Sequence, residues 1–138
     1  MYNKIMVPVD LSHTSELSKS LDTAADLATH YKIPIVFVSV GATAPGDVAR
    51  DPAKFAQKLD EFARAQATQR SIQASAKAYT SSDPASDVDD TLLRAVRDLG
   101  ADLVVMASHV PGLVDYVWPS NGGKIAQHAA ASVFVVRS

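Results

Sequence analysis

Chemistry in this sequence concentrates where apolar runs give way to polar residues. Asp10 closes the run Ile5-Met6-Val7-Pro8-Val9, and Ala107-Ser108-His109 follows Leu103-Val104-Val105-Met106. Further on, Ser120-Asn121-Gly122-Gly123 opens the last helical stretch. A helix start carries unpartnered backbone N–H groups and the positive end of the helix dipole, which together suit an anion such as phosphate. A lone carboxylate, a polar loop and an anion-binding helix start point to a phosphate-bearing ligand.

Other chemistries fit less well. Ser12, Ser108 and Ser120 lie in no Gly-x-Ser-x-Gly setting, so no nucleophile elbow is present. His13, His30, His109 and His128 are scattered, without the paired spacing or carboxylate cluster of a metal site. Gly122-Gly123-Lys124 resembles the tail of a P-loop, but no glycine lies five residues before Gly123, and Ile125 stands where Ser or Thr is required. With zero cysteines, thiolate zinc sites and cysteine nucleophiles are excluded.

The elements that position these residues follow from hydrophobic periodicity. Ile5–Val9 and Ile35–Val40 are continuous apolar runs, the pattern of strands covered on both faces. Leu17, Leu21, Ala24, Ala28 and Tyr31 form the stripe of an amphipathic helix, with Ser12, Thr14 and Ser15 as candidate caps. Gly41 to Arg50 reads as a loop. Asp51-Pro52 and Asp83-Pro84 read as two further helix starts, with Pro at the first helical position. Phe55, Leu59 and Phe62 face the core from one of these helices. Val88, Leu92, Ala95, Val96 and Leu99 do so from the other, which Gly100 stops. Ile72 to Tyr79 alternates and predicts a less buried strand near an edge. Leu103–Met106 is a fourth strand, residues 120–129 a short helix and Val133–Val136 a last strand. Strands alternating with helices predict an α/β fold: a three-layer α/β/α sandwich around a five-stranded parallel sheet, as one domain over residues 1–138. In such sheets ligands gather beyond the carboxyl strand ends, where the strand order reverses.

Composition narrows the partners. Thirteen Lys and Arg against 15 Asp and Glu give a net charge of −2, leaving no basic excess to hold a nucleic-acid backbone. No apolar run approaches the ~20 residues of a membrane span, and none has the form of an export signal. The expectation is therefore a cytoplasmic protein with neither nucleic acid nor membrane as partner. A closing strand at a sheet edge exposes unpaired backbone groups, so Val133, Phe134, Val135 and Val136 are the expected homodimer interface.

The opening Ile5-Met6-Val7-Pro8-Val9-Asp10-Leu11-Ser12 resembles the first strand of the universal stress protein family. Ala107-Ser108-His109, the loop to Ser120-Asn121 and the ending His128 to Arg137 are similar to that family's nucleotide loop and closing strand. The spacing most resembles the F/G-type branch. The resemblance implies a Rossmann-like sheet, dimerisation through the last strands and, in many members, an adenine nucleotide at the switch point. Carried over, Pro8, Val9 and Asp10 line adenine and ribose, and Val38 and Val40 pack near the base. Met106 and Ala107 lie beneath the nucleotide, with Ser108, His109 and Val110 in the loop. Ser120 and Asn121 serve the phosphates. The implied cofactor is ATP or another adenine nucleotide, with Mg²⁺ reaching Asp10 only as the nucleotide's companion.

The sequence also departs from that pattern. ATP-binding members resemble Gly-x2-Gly-x9-Gly-Ser/Thr in this loop, whereas Ala107 and Val110 stand at the first two glycines and, with the loop one residue shorter so that Ser120-Asn121 stays matched, Pro119 stands at the third. A valine side chain obstructs close backbone approach, and proline has no N–H to donate. Losing one hydrogen bond to a charged group, worth about 1.5–3 kcal/mol, weakens binding by about ten- to a hundredfold. Two functions follow: a stress-responsive nucleotide-binding regulatory dimer, or a relative that has lost the nucleotide and works through an unknown protein partner. No positioned general base is evident, so any ATPase activity is expected to be slow. A receiver or flavodoxin is the third class, and Asp10 stands without the acidic neighbour and the strand-three Asp that a receiver needs.

Overall fold

The computed structural model describes residues 1–42, 52–81, 84–108, 125–127 and 129–137. Five strands carry the fold: β1 (Ile5–Pro8), β2 (Ile35–Ala42), β3 (Ala74–Ser81), β4 (Leu103–Ala107) and β5 (Ser132–Val136). Between them run a 3₁₀ segment (Leu11–Leu17), α1 (Ser18–Tyr31), α2 (Pro52–Arg70) and α3 (Pro84–Leu99). Residues 125–127 are also helical. The strands pair in parallel in the order β3-β2-β1-β4-β5. The chain moves outward from β1 to β3, then returns past β1 to add β4 and β5 on the other side. This reversal makes the β1–β4 boundary the switch point.

Alternate side chains of each strand enter two separate cores. Ile5, Val7, Val9, Phe37 and Val105 pack with Leu21 and Ala24 of α1 and Leu59 of α2. Met6, Val36, Val38, Val104 and Met106 pack with Val88, Leu92 and Val96 of α3 and with Ile125. Both sheet faces are therefore dry, which explains why the central strands read as unbroken apolar runs. The α/β/α layering and the parallel sheet agree with the sequence expectation, and β3 and β5 are indeed its edges.

Several boundaries differ, each for a local reason. The third strand starts at Ala74, not Ile72, because the α2 terminus reaches further. Ser71 takes a left-handed φ of 55°, and the Ile72 N–H donates back to the Ala67 carbonyl at 3.2 Å. This is a Schellman-type helix end, with the apolar residue after the left-handed one turned into the core. α1 ends the same way, with Lys32 at φ 57° and Ile33 N–H on Ala28 O at 3.0 Å. α3 does so with Gly100 at φ 65°, where no Cβ opposes that conformation.

Gly41 belongs to β2 rather than to a loop. A Cβ there would lie 2.9 Å from the Phe55 ring, so the glycine lets α2 close onto the strand. The regular helix α1 begins only at Ser18, without a side-chain cap at Leu17. Ser12, Thr14 and Ser15 lie inside the preceding 3₁₀ segment, and Asp10 is the residue that caps it.

Candidate functional site

Pro8 determines where the switch point opens. The Ile5 and Val9 N–H groups donate toward the β2 side, to Pro34 O just before that strand (3.0 Å) and to Val38 O within it (2.8 Å), while the Lys4 carbonyl accepts from Leu103 of β4 at 3.3 Å. Residues bonding one neighbour alternate with those bonding the other, so Pro8 falls on the β4 side. It has no N–H to continue that ladder. The β1–β4 register accordingly runs over Ile5↔Leu103 and Met6↔Val104 and stops. Beyond it the two strands part: Pro8 and Val9 stay bonded to β2 and Met106, Ala107 and Ser108 to β5, so the end of β1 with Asp10 and the end of β4 flank one opening at the carboxyl edge.

The end of β1 is anchored from β2. Buried Ser39 donates its hydroxyl to the Val9 carbonyl at 2.8 Å, replacing the next backbone rung. Nothing in the periodicity singles out Ser39, because a lone serine in an apolar run reads as a neutral core residue.

Asp10 itself is held by its own turn. Its Oδ1 accepts the Ser12 N–H at 2.9 Å, its Oδ2 lies 2.9 Å from His13 Nδ1, and its carbonyl accepts the His13 N–H at 3.0 Å. The Asp10 side chain is 12% exposed and that of His13 27%, so the pair is sheltered yet reachable. His13 stands at φ −138°, ψ 41°, a break in the 3₁₀ segment. Neither metal-site spacing nor hydrophobic periodicity joins these two residues. An imidazole three residues after a capping Asp is the signal that identifies the pair.

The remaining candidate residues divide by face. Val38, Val40 and Met106 come together in the α3-side core and are buried. Val9 is fully buried on the opposite face, where Ala107 also packs. Their side chains therefore form the floor of the carboxyl edge, and contact from above falls to backbone groups. One of these is already engaged, because the Ser108 N–H donates to Val136 O at 2.9 Å. His109, Val110, Pro119, Ser120 and Asn121 lie outside the described residues.

Among the described residues, no group of three or more His, Asp or Glu side chains gathers as a metal site. No described helix is long and apolar enough to cross a membrane. A cavity of about 240 Å³ lies at the opposite, amino edge of the sheet, lined by Ala28, Lys32, Ile33, Ser71 and Gln73 among others. It is remote from the strand ends that carry the polar residues.

Solved structures share this fold. A protein from the universal stress protein family of Burkholderia pseudomallei is 26% identical, with a TM-score of 0.70 over 99% of this chain and 97% of its own. A universal stress protein from Archaeoglobus fulgidus, in complex with dAMP, is 15% identical, with a TM-score of 0.67 over 97% of each chain. An Arabidopsis thaliana family protein with AMP bound is also 15% identical, with a TM-score of 0.65 over 98% of this chain and 91% of its own. The sequence profile of the family matches residues 1–137. The switch point built by Pro8 and Asp10 thus sits in a chain that belongs to the universal stress protein family.

Proposed function

We propose that this chain is a cytoplasmic regulatory protein that binds an adenine nucleotide at the carboxyl edge between β1 and β4. The observation that carries this reading is Asp10: a sheltered carboxylate at the end of β1, where the ladder to β4 has stopped. Each carboxylate oxygen has two lone pairs, and each spends one on Ser12 or His13. One per oxygen is left to accept from a sugar hydroxyl. The relatives crystallised with AMP and dAMP support the same ligand class.

The phosphates fall to Ser120 and Asn121, which lie outside the described residues. Mg²⁺ has no described ligand set of its own and enters only with a nucleoside triphosphate. The site binds rather than turns over its ligand, with at most slow ATP hydrolysis. A second copy pairs antiparallel along β5, a sheet edge on which Phe134 is 46% exposed. The F/G-type resemblance rests on the spacing of Ala107-Ser108-His109 and Ser120-Asn121, whereas Val110 and Pro119 depart from the glycine pattern and favour the second reading, a family member that has lost nucleotide and acts through a protein partner.

Calorimetric titration of the folded, ligand-free protein with AMP, Mg-ATP and GTP tests the proposal. Saturable adenine-nucleotide binding tighter than about 100 μM (about −5.5 kcal/mol), weakened about tenfold or more by Asp10→Asn, supports the first reading. No saturation at millimolar concentrations supports the second.

A further inference from the structure

We infer that His13 is a positioning residue for the ligand, holding the Asp10 carboxylate so that both oxygens meet the ribose hydroxyls together. The inference rests on the adenine-nucleotide reading of the switch point and assigns the sugar preference of that site to one imidazole.

A carboxylate rotates freely about its last torsion, with broad rather than sharply staggered preferences. The Ser12 N–H contact to Oδ1 fixes one oxygen. His13 Nδ1, 2.9 Å from Oδ2, fixes the other and with it the plane of the group. An ionised carboxylate only accepts hydrogen bonds, so in this contact the ring is assigned as the donor, through Nδ1–H. The backbone serves the same contact. Helical φ/ψ is abandoned at His13, while its own N–H stays on the Asp10 carbonyl at 3.0 Å, and the ring folds back onto the carboxylate.

Two oxygens, each with one lone pair left and their plane fixed, match two vicinal hydroxyls. Hydroxyl bonds to a carboxylate are charge-assisted and roughly twice as strong as neutral ones. A ribonucleotide satisfies both, whereas a sugar without hydroxyls leaves a sheltered carboxylate short of partners. The cost of that mismatch depends on the carboxylate being held, which is the task of His13. A cap with no role toward ligand would stabilise the turn and leave sugar preference alone.

The test titrates the protein and three variants with AMP and with its 2′,3′-dideoxy analogue, alongside thermal unfolding of each. The wild type is expected to favour AMP by about tenfold or more. His13→Ala should cut that preference at least about threefold. His13→Asn, whose amide nitrogen takes the place of Nδ1, should restore it, and His13→Gln, with its nitrogen one bond further out, should not. Should the alanine variant fail to fold, the Asn and Gln variants carry the comparison. Retention of the wild-type preference by the Ala or Gln variant, or an equal loss for both nucleotides, overturns the role of His13 and leaves the nucleotide reading in place. A wild type that binds neither nucleotide overturns both.

Discussion

Asp102 clamps the strand that precedes the switch point: both its carboxylate oxygens accept the Asn3 N–H at 3.0 Å, and Oδ1 also accepts the Lys4 N–H at 3.1 Å. Lys4 in turn donates its ammonium to the Leu99 carbonyl at 2.9 Å, closing the end of α3. The register of β1 is thus fixed at its amino end by side chains, while its carboxyl end is left open by Pro8.

This clamp makes stability depend on acid. Partial burial pushes the Asp102 carboxyl upward, but the N–H groups of Asn3 and Lys4 outweigh it and leave its pKa below the ordinary value. A carboxylate with a folded pKa below its unfolded one stabilises fully above the unfolded value, about 3.9, and loses that contribution as pH falls through the folded value. Asp102→Asn should therefore cost about 1 kcal/mol at neutral pH. Urea unfolding at stepped pH should show the gap from wild type shrinking below about pH 4. A gap that is constant down to strong acid would mean that Asp102 does not act through its charge.

The left-handed helix ends hold recoverable stability. Ser71 and Lys32 take φ of 55° and 57°, where a Cβ costs roughly 1–2 kcal/mol relative to glycine. Glycine returns part of this through its more flexible unfolded chain, about 0.4–1 kcal/mol. Ser71→Gly should gain up to about 1 kcal/mol, or about 4 °C in Tm for a chain of this size. Ser71→Ala, which keeps the Cβ, should gain nothing. Equal behaviour of the two variants in thermal melts would refute the strain argument.

Those same positions show why part of the fold escaped sequence reading. Strand order and layering follow from apolar runs such as Ile35–Val40, because burial on both faces leaves an unmistakable pattern. Helix ends are read from glycine, so Gly100 was legible while Lys32 and Ser71 were not. Gly41 reads as loop punctuation in the sequence, although its missing side chain makes room for Phe55, a residue 14 positions away. At the candidate site, Asp10 was visible as a polar residue after a strand. Its partners were not: Ser39 acts through a hydroxyl on a neighbouring strand, and His13 through a kink that no periodicity encodes.

β5, an edge strand among the described residues, offers the means to test dimerisation without disturbing the sheet. The Ser132 N–H donates to Asp102 O at 3.1 Å, and the Val136 carbonyl accepts from Ser108. By alternation the N–H groups of Val133 and Val135 point away from β4, toward the open side. An antiparallel copy related by two-fold symmetry would bond to them. Val135→Pro removes one outward N–H and leaves the ladder to β4 unbroken, a position at which edge strands tolerate proline. Sedimentation velocity should show a wild-type dimer and a Val135→Pro monomer whose Tm is lower by only a few degrees, a loss of about 1 kcal/mol. A dimer that survives this substitution places the interface elsewhere, and a monomeric wild type removes the need for one.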